Sequence, residues 1–307
     1  MLLIRLLQKS AFVFAILVFV TMASADAQAP VSPVKNKDSY FKAAANYLTN
    51  SVYYGRKDSL PYPYLTASLG YFDKSGFYIT GSLSYLLQAN QNRIDVGAID
   101  AGYTFSFSDR FSADVYGNKS WYRPSSGVIT SDITGTIGSL LSYDLSAVQL
   151  NGGIDLTFAS KTDIGLNLGL SHSFTLGKEG DQWQIEPSFS TNWSTLHSYE
   201  GYVNRKLGKK PGAPGGATTT AVTSVQNNKL TLLDYEIWVP VIYETKRFGF
   251  MFTPTLAIPR NPIYTTTTIT TRLAGGAQTT STINSTPVSE TTLANSLYAE
   301  FEFFIKF

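Results

Sequence analysis

The chain ends Ala299-Glu300-Phe301-Glu302-Phe303-Phe304-Ile305-Lys306-Phe307. Phe301, Phe303, Ile305 and Phe307 fall at every second position up to the carboxylate, with Glu300, Glu302, Phe304 and Lys306 between them. Successive side chains of a strand point to opposite faces. As a strand, this segment therefore has one aromatic and aliphatic face and one mostly charged face.

The same period of two recurs upstream. Leu65, Ala67, Leu69 and Tyr71 alternate with Thr66, Ser68 and Gly70, and after Asp73-Lys-Ser-Gly76 the pattern resumes with Phe77, Ile79, Gly81, Leu83 and Tyr85. Ile99 to Phe107 and Phe111 to Val115 alternate likewise across Ser108-Asp-Arg110. Further strands are expected near 131–145, 147–160, 163–177, 183–202, 229–244, 248–264 and 295–307. Segments of about ten alternating residues separated by turns are the signature of a membrane barrel. A soluble sandwich would alternate too. The ends of the chain, the aromatic content and the loop lengths favour the barrel.

At the N-terminus Arg5 and Lys9 precede the apolar run Ala11–Val20, and Ala23-Ser-Ala25 follows. This is a secretory signal peptide, 1–25, with cleavage after Ala25 or Ala27. The apolar run is short for a spanning helix, which needs about 20 residues. The absence of cysteine excludes a lipid-anchored cysteine, a disulfide framework and thiolate metal sites. Removing Arg5 and Lys9 leaves 22 basic against 22 acidic residues, so no overall basic field argues for nucleic acid. Nineteen Tyr and nineteen Phe suit aromatic girdles at two membrane interfaces.

The connections alternate in length. Turns at 73–76, 108–110, 145–147, 177–182 and 244–247 are short, as periplasmic turns are. The other set, 89–93, 123–130, 160–162, 203–228 and 265–294, contains both long loops. Eleven strands follow residue 60, and an even count needs one more. Residues 43–54 are assigned to it, with a short amphipathic helix over 39–50 as the alternative. The segments are then 1–25 signal peptide, 26–42 periplasmic and 43–307 closed antiparallel up-and-down barrel. Lys206–Thr220 and Thr265–Thr292 are low in complexity, and their threonines suit β-ribbons above the membrane.

Catalytic chemistry is sparse. Of two histidines, His172 shares parity with Leu168, Leu170 and Phe174 and faces outward, whereas Ser171 and Ser173 face inward. A nucleophile and base must come within about 3 Å, so no Ser–His pair forms there. His197 shares parity with Trp193 and Tyr199, a girdle pattern. No metal site, cofactor or phosphate loop is expected. On the lumen parity lie Asp100, Asp114, Asp144, Asp155, Glu186, Asp234, Glu236, Glu300 and Glu302, with Lys306 the clearest base. They suggest an acidic lining that favours cations, against the alternative that charges in any barrel interior are simply paired or solvated. Arg205, Lys206, Lys209 and Lys210 form an outer basic cluster that could meet lipopolysaccharide phosphates.

Together the signal peptide, alternating strands, loop asymmetry and aromatic terminus resemble Gram-negative outer-membrane β-barrel proteins of about twelve strands, with an overall look similar to those of Bacteroidota. The resemblance implies location in the outer membrane, lipid and lipopolysaccharide as neighbours, and Phe301, Phe303, Ile305 and Phe307 as the signal read by the barrel-assembly machinery. It implies no substrate. Two functions stay open: a passive narrow channel for small solutes, and a structural or adhesive barrel acting through its outer loops. An outer-membrane lipid-modifying enzyme is a third, weaker alternative.

Overall fold

The computed structural model describes residues 38–57, 60–88, 92–178, 180–201, 204, 218–225, 229–262, 264–272, 277–285 and 293–307. The segment expected to be a signal peptide and the basic cluster at 205–210 lie outside them.

Twelve antiparallel strands close into one barrel. They are β1 (Tyr40–Leu48), β2 (Tyr64–Phe72), β3 (Phe77–Leu86), β4 (Arg93–Ser106), β5 (Phe111–Tyr122), β6 (Gly135–Asp144) and β7 (Gln149–Phe158). Then follow β8 (Thr162–Ser171 and Phe174–Lys178), β9 (Asp181–Ile185 and Ser188–Ser194), β10 (Thr231–Trp238 and Val241–Thr245), β11 (Phe248–Pro259) and β12 (Ser296–Lys306). Each strand pairs with its sequence neighbours. The terminal strand closes the ring by pairing with both β11 and β1. Closure removes the free edge that a bilayer could not satisfy.

Three strands are in two pieces for one reason. Proline cannot donate to a ladder. Pro187 interrupts β9 and Pro240 interrupts β10, and the breaks line up: the His172 N–H donates to the Pro187 carbonyl at 3.2 Å and the Glu186 N–H to the Pro240 carbonyl at 3.0 Å. The ladder resumes on each side with unchanged facing.

The outer surface is apolar. Leu69, Leu83, Ile99, Ile137, Leu168, Phe250, Phe303 and many others are exposed there, a far larger apolar band than a soluble domain leaves uncovered, and the barrel is a transmembrane one. Near the end that carries the short turns the outward rings meet in series. Tyr103 and Phe105 lie 4.5 Å apart between centroids, Phe107 and Phe111 5.1 Å, and Phe111 and Tyr143 6.4 Å. Phe41 stacks on Phe307 at 5.9 Å, and Phe252 meets Phe301 at 4.7 Å. The inward-facing Phe304 is only 5 % exposed.

The first strand differs from the sequence expectation. It begins at Tyr40 rather than Ala43 and ends at Leu48, and residues 39–50 are not helical. Residues 49–54 are not barrel wall. Val52–Tyr53 and Arg56–Lys57 form a miniature hairpin folded into the mouth at the end opposite the short turns. Its two central residues, Tyr54 and Gly55, have φ of 47° and 73°, the positive values of the tight hairpin turns. A Cβ on Gly55 would also lie 3.1 Å from Asp234 Cβ and from Pro259, so both conformation and approach demand glycine there.

The top of β9 also departs from the sequence expectation. The strand ends at Ser194, and Leu196 (φ 57°) turns the chain inward. Tyr199 is fully buried in the mouth, not in a girdle. His197 goes with it: its backbone N–H donates to an Asp163 carboxylate oxygen, and its Nδ1 is buried without a partner. The low-complexity segments contribute a separate three-stranded sheet, Thr218–Val225, Thr265–Arg272 and Gln278–Ser285, with the second strand central.

Candidate lumenal site and its plug

The inward side chains of neighbouring strands form rows, because paired residues share a face. Asp100 accepts from Asn118 Nδ2 at 2.6 Å. Asp114 accepts from the Tyr78 hydroxyl at 2.8 Å and from Thr104 Oγ1 at 3.1 Å. Asp155 stands between Gly138 on β6 and Gly165 on β8, residues with no side chain to reach it. Thr157 Oγ1 approaches its Oδ1 at 3.4 Å, and its Oδ2 is buried without a partner. Glu186 accepts from Gln184 Nε2 at 3.0 Å. Asp144, the last residue of β6, accepts the Ser146 N–H of the following turn at 2.5 Å.

Asp234 and Glu236 are two apart on β10 and share the inner face. A chain of amides leads to the first: Asn167 Nδ2 donates to Asn192 Oδ1 at 2.6 Å, and Asn192 Nδ2 to Asp234 Oδ1 at 2.8 Å. Asp234 Oδ2 has no partner. Glu236 faces the Tyr298 hydroxyl at 3.4 Å. The acids at the end of the chain differ. Glu302 pairs with Lys42 Nζ at 2.6 Å, and Glu300 accepts from Asn46 Nδ2. Lys306 pairs with Glu244 at 2.5 Å. Lys42 and Lys306 also lie 4.4 and 5.6 Å from the Phe304 centroid. The short-turn end is thus charge-paired, while Asp100, Asp114, Asp155 and Glu236 are held by neutral donors.

Sequence reading missed Lys42, because beginning the first strand at residue 43 left it outside the barrel. It also missed Arg56. Arg56 is 2 % exposed. Its guanidinium donates to the carbonyls of Tyr54 (2.7 Å), Leu233 (3.3 Å), Arg260 (2.8 Å) and Asn261 (2.8 Å). It interacts electrostatically with Asp234. Around it Tyr53, Tyr54, Ile129, Ile133, Leu196, Tyr199 and Leu233 form an apolar cluster from four separate segments. A second cluster joins Val52 to Ala257 and Tyr298 on the wall. The Tyr54-Gly55 pair was the legible sign of a tight turn.

Ser171 and His172 are not a pair. Ser171 Oγ accepts from Asn151 Nδ2 at 3.2 Å, and the His172 ring stands edge-on to Phe174 at 4.4 Å.

No family model matches the chain, and no curated protein matches it. Solved structures with a likeness include a KdgM porin (8% identity, 87% of this chain and 99% of that one, TM-score 0.43). LpxR from Salmonella typhimurium matches at 9% identity over 87% of this chain and 100% of that one (TM-score 0.45). The COG4313 outer membrane channel from Pseudomonas putida F1 matches at 11% identity over 91% and 99% (TM-score 0.36).

Proposed function

We propose that this barrel lies in the bacterial outer membrane, exported by the 1–25 signal peptide, and acts passively as a narrow pore that prefers small cations. The observation that carries this reading is the partner set of the inward acids. Asp100, Asp114, Asp155 and Glu236 are held by Asn118, by Tyr78 and Thr104, by Thr157 and by Tyr298. None of these donors carries charge, so no base neutralises these carboxylates, and a narrow low-dielectric bore strengthens the field of each one that is ionised. Glu302 contributes least, since the Lys42 ammonium pairs with it. The terminal Phe301, Phe303, Ile305 and Phe307 would be read by the barrel-assembly machinery.

A second reading is favoured by the buried hairpin at 52–57: a structural or adhesive barrel with a filled mouth, working through its outer loops. Planar-bilayer recording separates the two. Stable openings support the pore. A silent barrel that is folded by circular dichroism supports the structural reading.

A further inference from the structure

The outer wall of β2 to β5 carries a groove of about 540 Å³. Its floor is Gly81 and Gly97, and its sides are Leu69, Leu83, Ile99 and Trp121. The glycines make the hollow: a Cβ on Gly81 would meet nothing within 4 Å, and one on Gly97 would meet only Leu83 Cδ2 (3.3 Å) and the Ser82 carbonyl (3.8 Å). Across the ladder Gly97 pairs with Trp121, and Ile99 with Lys119. β5 rises from a periplasmic turn to end at Tyr122, which puts Trp121 at the outer rim. Lys119 is one same-face step below it, about 7 Å along the strand. Lys119 is exposed on this apolar wall, and exposed Arg123 follows just past the strand end.

A lysine on the hydrocarbon face is costly at mid-depth and tolerable near the interface. Its long stem lets the charge reach the headgroup layer. Among the described residues neither Lys119 nor Arg123 has a carboxylate partner, so the counter-charge on this face is left to the lipid. We propose that this face binds one phosphorylated, multi-acyl lipid of the outer leaflet, with an acyl chain over Gly81 and Gly97 and phosphate on Lys119 and Arg123. Charge decides the occupant. A second copy docked by two-fold symmetry would bring like cations together here. The proposal takes from the outer-membrane reading only which lipid meets this rim, and it is independent of conduction.

Native mass spectrometry of the refolded full barrel in detergent tests it, with lipid A, dephosphorylated lipid A and phosphatidylethanolamine as probes. One lipid A per barrel is expected, held more tightly than either other lipid. Lys119→Gln and Arg123→Gln should each weaken it about fivefold, at about one surface cation's worth. Gly81→Leu fills the groove and should weaken binding while the barrel stays folded by gel mobility. If that variant does not fold, the two glutamine variants decide. Equal affinity for the dephosphorylated lipid, unchanged affinity in both glutamine variants, or a protein dimer that Gly81→Leu abolishes would overturn the proposal. Loss of conductance in a separate recording would leave it standing.

Discussion

Replacing Arg56 with Met should release the hairpin from the barrel mouth. The guanidinium makes three bonds that leave the hairpin, to the carbonyls of Arg260 and Asn261 at 2.8 Å and of Leu233 at 3.3 Å; its fourth, to Tyr54, lies within the hairpin and survives undocking. Hydrogen bonds involving a charged group contribute about 1.5–3 kcal/mol each. Three at the low end give roughly 4–5 kcal/mol, and water entering the opened mouth plus the relieved burial of a cation reduces this to about 3–4 kcal/mol. At about 1.4 kcal/mol per factor of ten, the undocked fraction should rise several-hundred-fold. The chain has no cysteine, so a single Val52→Cys reports undocking without background. Val52 is 7 % exposed, and labelling by a membrane-impermeant maleimide from the outer side should be slow in that background and at least a hundredfold faster when Arg56→Met is added. A labelling rate unchanged within a factor of three would refute the reasoning, because it would mean that the carbonyls do not hold the hairpin.

Deleting Phe307 removes a reciprocal pair of backbone bonds with Phe41 (2.8 and 3.0 Å) and the Phe41 ring contact at the closing seam. The folded amount in the outer membrane should fall severalfold, and normal levels by fractionation and gel mobility would contradict the role given to the terminus. Gly249→Val forces a side chain into the space held by the Phe304 ring. Overpacking of this kind costs about 1–3 kcal/mol, which should lower the urea midpoint of refolded barrel, and an unchanged midpoint would count against the packed inner face. Asp73, in the short turn between β2 and β3, accepts hydrogen bonds from the Ser75 N–H and the Ser39 and Tyr71 hydroxyls, and bonding led by Ser75 holds its carboxyl well below the usual range. A depressed carboxyl contributes stability above its unfolded-state value, about 3.9, and loses it as pH falls through the folded-state value. Asp73→Asn should therefore unfold more readily than wild type at pH 7, with the gap closing in strong acid. A gap independent of pH would contradict the assignment.

The wall was legible because a period of two is read without knowing what a strand packs against. Ile164, Leu166, Leu168 and Leu170 alternate with Gly165, Asn167, Gly169 and Ser171, and the ladder keeps that order. The mouth was not legible. Tyr53, Ile133, Leu196 and Leu233 come from four distant segments, and no local period marks a loop whose partners lie on other loops and on the wall. Tyr199 continued the outward parity of Trp193 on paper, yet Leu196 turns the chain before it gets there. The three-residue error at the start of β1 had a chemical consequence. It excluded Lys42, and with it the pairing of Glu302, so the last strand looked more acidic than it is. Pro187 and Pro240 were visible in the sequence, but that their breaks fall in line across the sheet depends on register.

The central claim is cation preference set by inward carboxylates with neutral partners. The most direct test is the reversal potential of the reconstituted barrel in a tenfold KCl gradient. The account predicts a potential of the sign for K⁺ permeation, larger at low salt where screening is weakest. It also predicts a clear reduction when Asp100→Asn, Asp114→Asn, Asp155→Asn and Glu236→Gln are combined. A potential of zero or of chloride sign, or one that survives the four substitutions unchanged, would contradict it.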